Sequence, residues 1–160
     1  DVSKKITKKL IIDKVLLLND CYKKLFYKKP KIAILGINPH NGELRKNSEE
    51  EKIIKPSING LIKKRINIQG PFSTDSIFLG KKYEQFDVIV GMYHDQILGP
   101  YKALFGYDAI NITLGLKYIR VSPDHGVAND IIGKNKANVE SLLKAMNFFR
   151  DLKWFLQKNH

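Results

Sequence analysis

The sequence has one cysteine, Cys21. That excludes a disulfide framework and any cysteine-based metal site, and it makes a reducing cytoplasm the natural compartment. No run approaches the roughly 20 apolar residues of a membrane span, and the highly charged start does not read as a secretory signal, so a soluble chain is expected. Internal repeats, low-complexity linkers and the Gly-x-Gly-x-x-Gly dinucleotide fingerprint are also missing. Acidic residues are scarce: 16 Asp and Glu stand against 28 Lys and Arg, for a net charge of +12. Such an excess raises the question of nucleic acid, because basic side chains neutralise phosphates. Yet the lysines are spread along the chain, and no aromatic-basic RNA motif or helix-turn-helix pattern accompanies them. With the abundant Ile and Asn they read as a compositional bias, although a basic field suits an anionic small substrate. Neither nucleic acid nor membrane is the expected partner, and a basic nucleic-acid-binding module is kept as the second alternative.

What is present is a globular composition of 160 residues, 43% apolar and 28% charged, enough for one core. A single α/β unit over residues 1–160 is expected. Residues 3–18 have helical apolar spacing with Ser3 as a plausible cap, and the helix continues to about Phe26 as a linking helix over residues 1–26. Lys28-Lys29-Pro30 then stops it and launches a strand through Ile32 and Ile34. Ser48-Glu49-Glu50-Glu51 is a capping box, and the helix it opens, kinked at Pro56, extends to about Lys64. Ile66-Asn67-Ile68 alternates like a short strand ended by Gly70-Pro71, and Thr74 or Asp75 caps the start of a helix. After a strand over 86–90, a helix from Gln96 to Phe105 is expected to break near Gly99-Pro100. The β-rich runs 109–113 and 118–121 pair as an antiparallel hairpin. The last helix starts at Asn138 and carries a wide stripe of Val139, Leu142, Leu143, Met146, Phe149, Leu152, Phe155 and Leu156.

Two apolar runs end in histidine. Phe86-Asp87-Val88-Ile89-Val90 leads to Gly91-Met92-Tyr93-His94-Asp95-Gln96, and Lys31-Ile32-Ala33-Ile34-Leu35-Gly36 leads to Ile37-Asn38-Pro39-His40. Parallel sheets bind ligands at the carboxyl ends of their strands, so both imidazoles are expected on one rim. A lone histidine is more often structural than a ligand, but two in equivalent places suit a transition metal. A catalytic zinc needs about three protein ligands, and these residues offer two.

Five motifs in order, Gly36-Ile37-Asn38-Pro39-His40-Asn41-Gly42-Glu43, Gly70-Pro71-Phe72-Ser73-Thr74-Asp75, Met92-Tyr93-His94-Asp95-Gln96, Asn111-Ile112-Thr113-Leu114-Gly115-Leu116 and Arg120-Val121-Ser122-Pro123-Asp124-His125-Gly126, closely resemble the 4-hydroxythreonine-4-phosphate dehydrogenase family. The resemblance is to the C-terminal half only. It implies a three-layer α/β/α fold like that of isocitrate and isopropylmalate dehydrogenases, mostly parallel with an antiparallel hairpin. It also implies a cytoplasmic homodimer whose active site lies at the interface. On matching residues it implies His40 and His94 as ligands of a divalent metal (zinc, or magnesium, manganese or cobalt), with a third histidine immediately upstream of Asp1. Lys102, Asn111 and Arg120 are implied to contact the phosphorylated substrate, and Asp75 and Asp95 to maintain the site. His125, Gly126 and Asp130 resemble the loop with which related dehydrogenases hold the adenosine part of NAD, NADP being the alternative cofactor. One departure is Leu44-Arg45-Lys46-Asn47, where the family commonly has further glycines. The implied reaction is oxidation and decarboxylation of 4-phosphohydroxy-L-threonine in pyridoxine and pyridoxal 5'-phosphate biosynthesis; the first alternative is a related four-carbon sugar-acid phosphate. Taken alone, the chain is expected to be inactive or nearly so.

Overall fold

Strand β1, Ile32–Leu35, is the centre of the first half of the chain, and each of its four side chains is fully buried. Alternation along the strand sends Ile32 and Ile34 to one face and Ala33 and Leu35 to the other, so the sheet has a core on both sides. The computed structural model in which this is seen describes residues 2–158, with only the backbone at residues 44 and 153–158. Strand β1 pairs in parallel with β2 (Ile68–Phe72) on one side and β3 (Val88–Val90) on the other.

Helix α1 is a single turn, Val2–Lys5, and α2 is a separate helix, Lys8–Phe26. Thr7 rather than Ser3 caps the long helix, its hydroxyl accepting from the Leu10 N–H at 3.1 Å. Tyr27 closes it in the left-handed conformation. Within the stretch expected as a linking helix, Ile11 and Val15 pack with Ile54, Ile58 and Leu61 against Ile32 and Ile34. The capping box at Ser48 forms on the serine side, with Glu51 N–H reaching its hydroxyl at 3.4 Å. The first turn, Glu50–Ile54, is wound as a π-helix and passes into α3, Lys55–Lys63. Pro56 is the second residue of α3, directly after the π-wound turn, so the expected interruption takes the form of a change of winding from π to α.

Gly70-Pro71 was expected to end a strand over 66–68; instead β2 begins at Ile68 and runs through both residues. The register is Ile32 with Ile68, Ala33 with Gln69, then Leu35 with Phe72, so Gly70 and Pro71 together oppose Ile34 as a bulge. A Cβ on Gly70 would lie 2.4 Å from the Ile34 carbonyl oxygen, and its φ of +137° is open only to glycine. The second face of the sheet is closed by Ile77 of α4 (Thr74–Ile77), Phe72, Phe78, Phe86 and Ile97.

Helix α5, His94–Phe105, is continuous and contains Pro100, where a break was expected. Its register absorbs the proline, which removes one intrahelical bond without ending the helix. The chain divides just beyond that point into two compact units, 1–100 and 101–160, where one unit over 1–160 had been expected.

In the second unit, β4 (Ile110–Thr113) and β5 (Arg120–Pro123) form the expected antiparallel hairpin, pairing Asn111 with Ser122 and Thr113 with Arg120. Helix α6, Glu140–Lys158, is capped by Asn138, whose side chain accepts from the Glu140 N–H at 2.7 Å. Its expected apolar stripe is only partly a core. Ser141, Ala145 and Leu152 are buried, whereas Leu142, Leu143, Met146 and Phe149 are 42–62% exposed. A two-stranded ribbon covers a narrow face of a helix, and small residues let α6 approach it closely. The side chains of Phe155 and Leu156 lie outside the described residues. The class read from the sequence, α/β with a parallel sheet and an antiparallel hairpin, is the one the chain adopts.

Candidate functional site

In the first unit the carboxyl ends of β1, β2 and β3 converge on a cavity of ≈ 370 Å³ lined by Ile37, Asn38, His40, Thr74, Asp75, Tyr93 and Gln96, among others. His40 reaches it from a short turn, Pro39–Leu44, in which His40, Asn41, Gly42 and Glu43 all adopt left-handed backbone angles. Non-glycine residues in that region carry strain, which persists only where the surroundings impose it. His40 Nδ1 stands 3.7 Å from Asp75 Oδ2. The Ser73 hydroxyl donates to the other Asp75 oxygen at 2.5 Å and holds that carboxyl below the usual aspartate range, and the His40 ring adds to the effect.

His94 opens α5, with Nδ1 2.7 Å from Asp95 Oδ1; both side chains are more than three-quarters exposed. His94 thus hydrogen-bonds an aspartate through Nδ1 and leaves Nε2 for a ligand, the arrangement by which carboxylates orient metal-binding imidazoles, whereas His40 and Asp75 at 3.7 Å make an electrostatic contact without a hydrogen bond. Among the described residues no three His, Cys, Asp or Glu side chains gather closely enough to hold a metal between them. The donor chemistry of the two imidazoles suits a divalent metal, and the donors gathered among the described residues are fewer than those of a complete site.

Two residues without an expected role tie this region together. Gln96, 4% exposed, donates to the Gly36 carbonyl at 2.6 Å and the Thr74 hydroxyl at 2.9 Å while accepting from the Met92 N–H at 2.7 Å, so it joins the ends of β1 and β3 to α4. Glu50, fully buried, accepts from the N–H groups of Ile37 and Asn38 at 2.9 and 2.8 Å and from the Asn38 side chain at 2.9 Å. Burial raises its pKa, but these donors together outweigh burial and bring it below the ordinary 4.5. A glutamate at the start of a helix carries no sequence signal for such a place; Gln96 had a weak one, standing two residues beyond His94.

In the second unit the hairpin register puts Asn111, Thr113, Arg120 and Ser122 on one face and Ile110, Ile112, Val121 and Pro123 on the other. Asn111 and Arg120 are therefore diagonal neighbours, and Arg120 donates to the Thr113 hydroxyl at 2.9 Å. Lys102 is held by Asp124, its ammonium lying 3.4 Å from both the carbonyl oxygen and carboxylate Oδ2 of that residue. Oδ2 has no well-formed hydrogen bond, so the link is an ion pair within the unit. Asp124 is itself fixed: its N–H donates to Ser141, whose hydroxyl donates to the Ala109 carbonyl at 2.5 Å. His125, Gly126 and Asp130 line a second cavity of ≈ 560 Å³ flanked by Val127 and Ile132, which are 84% and 71% exposed. Apolar side chains beside a free carboxylate offer a stacking surface and an acceptor for a diol, so the lining fits the adenosine part of a dinucleotide. Gly126 has open space where a Cβ would be, so nothing there demands glycine.

Residues 1–149 match the family described as "Pyridoxal phosphate biosynthetic protein PdxA". The chain belongs to this family. It is 49% identical over 150 residues to the 4-hydroxythreonine-4-phosphate dehydrogenase of Sulfurihydrogenibium sp. (strain YO3AOP1), covering 91% of this chain and 45% of that protein. The D-threonate 4-phosphate dehydrogenase of Pectobacterium atrosepticum is 41% identical over 133 residues, covering 82% of this chain and 41% of its own length. Among solved structures, 4-hydroxythreonine-4-phosphate dehydrogenase from Klebsiella pneumoniae superimposes with a TM-score of 0.76 at 34% identity, over 91% of this chain and 44% of that one. This PdxA-family chain thus spans about half the length of the relatives it matches. No helix among its described residues is long and apolar enough to cross a membrane.

Proposed function

We propose that the chain is part of a cytoplasmic, homodimeric dehydrogenase that oxidises and decarboxylates 4-phosphohydroxy-L-threonine in pyridoxal 5'-phosphate biosynthesis, using NAD (NADP being the alternative) and a divalent metal. The observation that carries this reading is the pair of imidazoles, each with an aspartate beside its Nδ1, at the strand ends of a PdxA-family sheet. His40 and His94 would hold the metal, zinc or one of magnesium, manganese and cobalt, which supplies Lewis acidity toward the alcohol and the developing enolate. NAD supplies the hydride acceptor.

The chain's own residues bind and orient. Asp95, hydrogen-bonded to His94 Nδ1, orients that ring so that it offers Nε2, and Asp75 faces His40 Nδ1 as its charge partner. Arg120 and Asn111, on one face of the hairpin, fit a phosphate or carboxylate and a hydroxyl, and Lys102 adds a second cation within the same unit. His125 and Asp130 line the cavity that suits adenosine. Because two imidazoles are fewer than the roughly three ligands of a catalytic site, the remaining ligand comes from elsewhere in the assembled protein, and these 160 residues alone turn over little or no substrate.

The test is NAD reduction by the full-length protein with 4-phosphohydroxy-L-threonine beside D-threonate 4-phosphate, before and after a chelator. The reading expects faster reduction with the threonine derivative and loss of activity on chelation. Preference for the threonate would move the protein to the other activity named among its relatives, and indifference to the chelator would overturn the metal role.

A further inference from the structure

We infer that Glu50 is the positioning residue of the loop that carries His40, an inference that rests on His40 being a metal ligand as proposed above. The loop leaves β1 at Gly36 and returns through four left-handed residues, three of them non-glycine. Such a conformation needs a partner that outweighs its strain. Glu50 is placed to be that partner. One carboxylate oxygen takes the N–H groups of Ile37 and Asn38, the two residues that lead into Pro39-His40, and the other takes the Asn38 side chain.

The two glycines of the loop leave room first for Asn41 and Ser48, since a Cβ on Gly36 would stand 2.2 Å from Asn41 Oδ1 and one on Gly42 2.8 Å from Ser48 Cβ, and next for this carboxylate. A Cβ on Gly36 would stand 3.0 Å from Glu50 Oε1, and a Cβ on Gly42 would stand 3.0 Å from Oε2. Glu50 therefore sits between the entry and the exit of the turn, with no exposure to solvent. Asn41, next to His40, adds a second tether through its amide to the Pro71 carbonyl at 3.0 Å. Carboxylates buried to this depth are costly unless fully bonded, and here the bonds go to the His40 loop and not to a cation. The arrangement sets the His40 ring near Asp75 before any ligand arrives.

The test compares the full-length wild-type protein with Glu50→Ala, Glu50→Gln, His40→Ala and Leu61→Ala. Leu61 is a fully buried core residue that makes none of the loop's hydrogen bonds and serves as the control for lost stability. Hydrogen exchange is followed at residues 37–42, and zinc alone is titrated into metal-free protein. In Glu50→Ala the amides of Ile37 and Asn38 exchange on the order of tenfold faster, and zinc affinity falls about 10–100-fold. Glu50→Gln keeps an acceptor for the two backbone groups and lies between that variant and wild type. Leu61→Ala leaves both quantities within about twofold of wild type. Unchanged protection and zinc affinity in both Glu50 variants would overturn the inference, as would equal losses in Leu61→Ala. Unchanged zinc affinity in His40→Ala would overturn the ligand role of His40 instead, while exchange at residues 37–42 would still decide what Glu50 does.

Discussion

Replacing Gln96 by Leu removes three hydrogen bonds from one buried side chain without opening a large void. The bonds are those to the Gly36 carbonyl, the Thr74 hydroxyl and the Met92 N–H, at 2.6, 2.9 and 2.7 Å. Each is worth about 0.5–1.5 kcal/mol net, and a buried partner left unpaired costs about 1–3 kcal/mol. Gly36 is buried, so its carbonyl has little access to water, and the added apolar contact of Leu returns part of the loss. The expected destabilisation is about 3 kcal/mol, read as a lower urea midpoint at unchanged slope. Gln96→Glu sharpens the test by placing an acceptor against the Gly36 carbonyl. Its folded pKa then rises above the unfolded value, so the penalty is present at neutral pH and is relieved as pH falls through the folded value. A Gln96→Leu loss below about 1 kcal/mol would refute the claim that this side chain ties the strand ends together.

Leu35→Ala, in the fully buried central strand, should cost about 2–5 kcal/mol and show in thermal unfolding. Asp87 accepts from the Lys28 ammonium at 2.6 Å and the Lys31 N–H at 2.8 Å, and these two donors, Lys28 foremost, hold its carboxyl below the ordinary 3.8. A depressed folded value means stability that is present above the unfolded pKa and lost as pH falls through the folded one. Asp87→Asn should therefore cost about 1–2 kcal/mol at neutral pH, a gap that closes in acid and narrows in high salt, because Lys28 is largely exposed; a pH-independent gap would refute the ion-pair account.

Strand β1, the position of His40 and His94 beyond the ends of strands and the hairpin were legible in the sequence because each is written in local pattern. Ile32, Ala33, Ile34 and Leu35 form an unbroken apolar run, which only a strand covered on both faces explains. His40 and His94 follow such runs directly, and period-two alternation in 110–113 and 120–123 fixes which residues share a face. Family membership was legible for the same reason, since its motifs are contiguous.

What the tertiary structure alone decided is wherever a local signal competes with packing. Gly70-Pro71 reads as a strand end but is a bulge inside β2, because β1 approaches so closely that only glycine fits against the Ile34 carbonyl. Pro100 reads as a helix end but lies within α5. The apolar stripe of α6 reads as core, yet Ser141 and Ala145 face the hairpin while Leu142, Leu143 and Met146 are exposed, since the partner surface sets which face is buried. Glu50 has no local signal for its role, and Gln96 only its place two residues beyond His94. Their roles depend on backbone groups 12 or 13 and 60 residues away, and hydrogen bonds across such separations exist only once the sheet has brought the strand ends together.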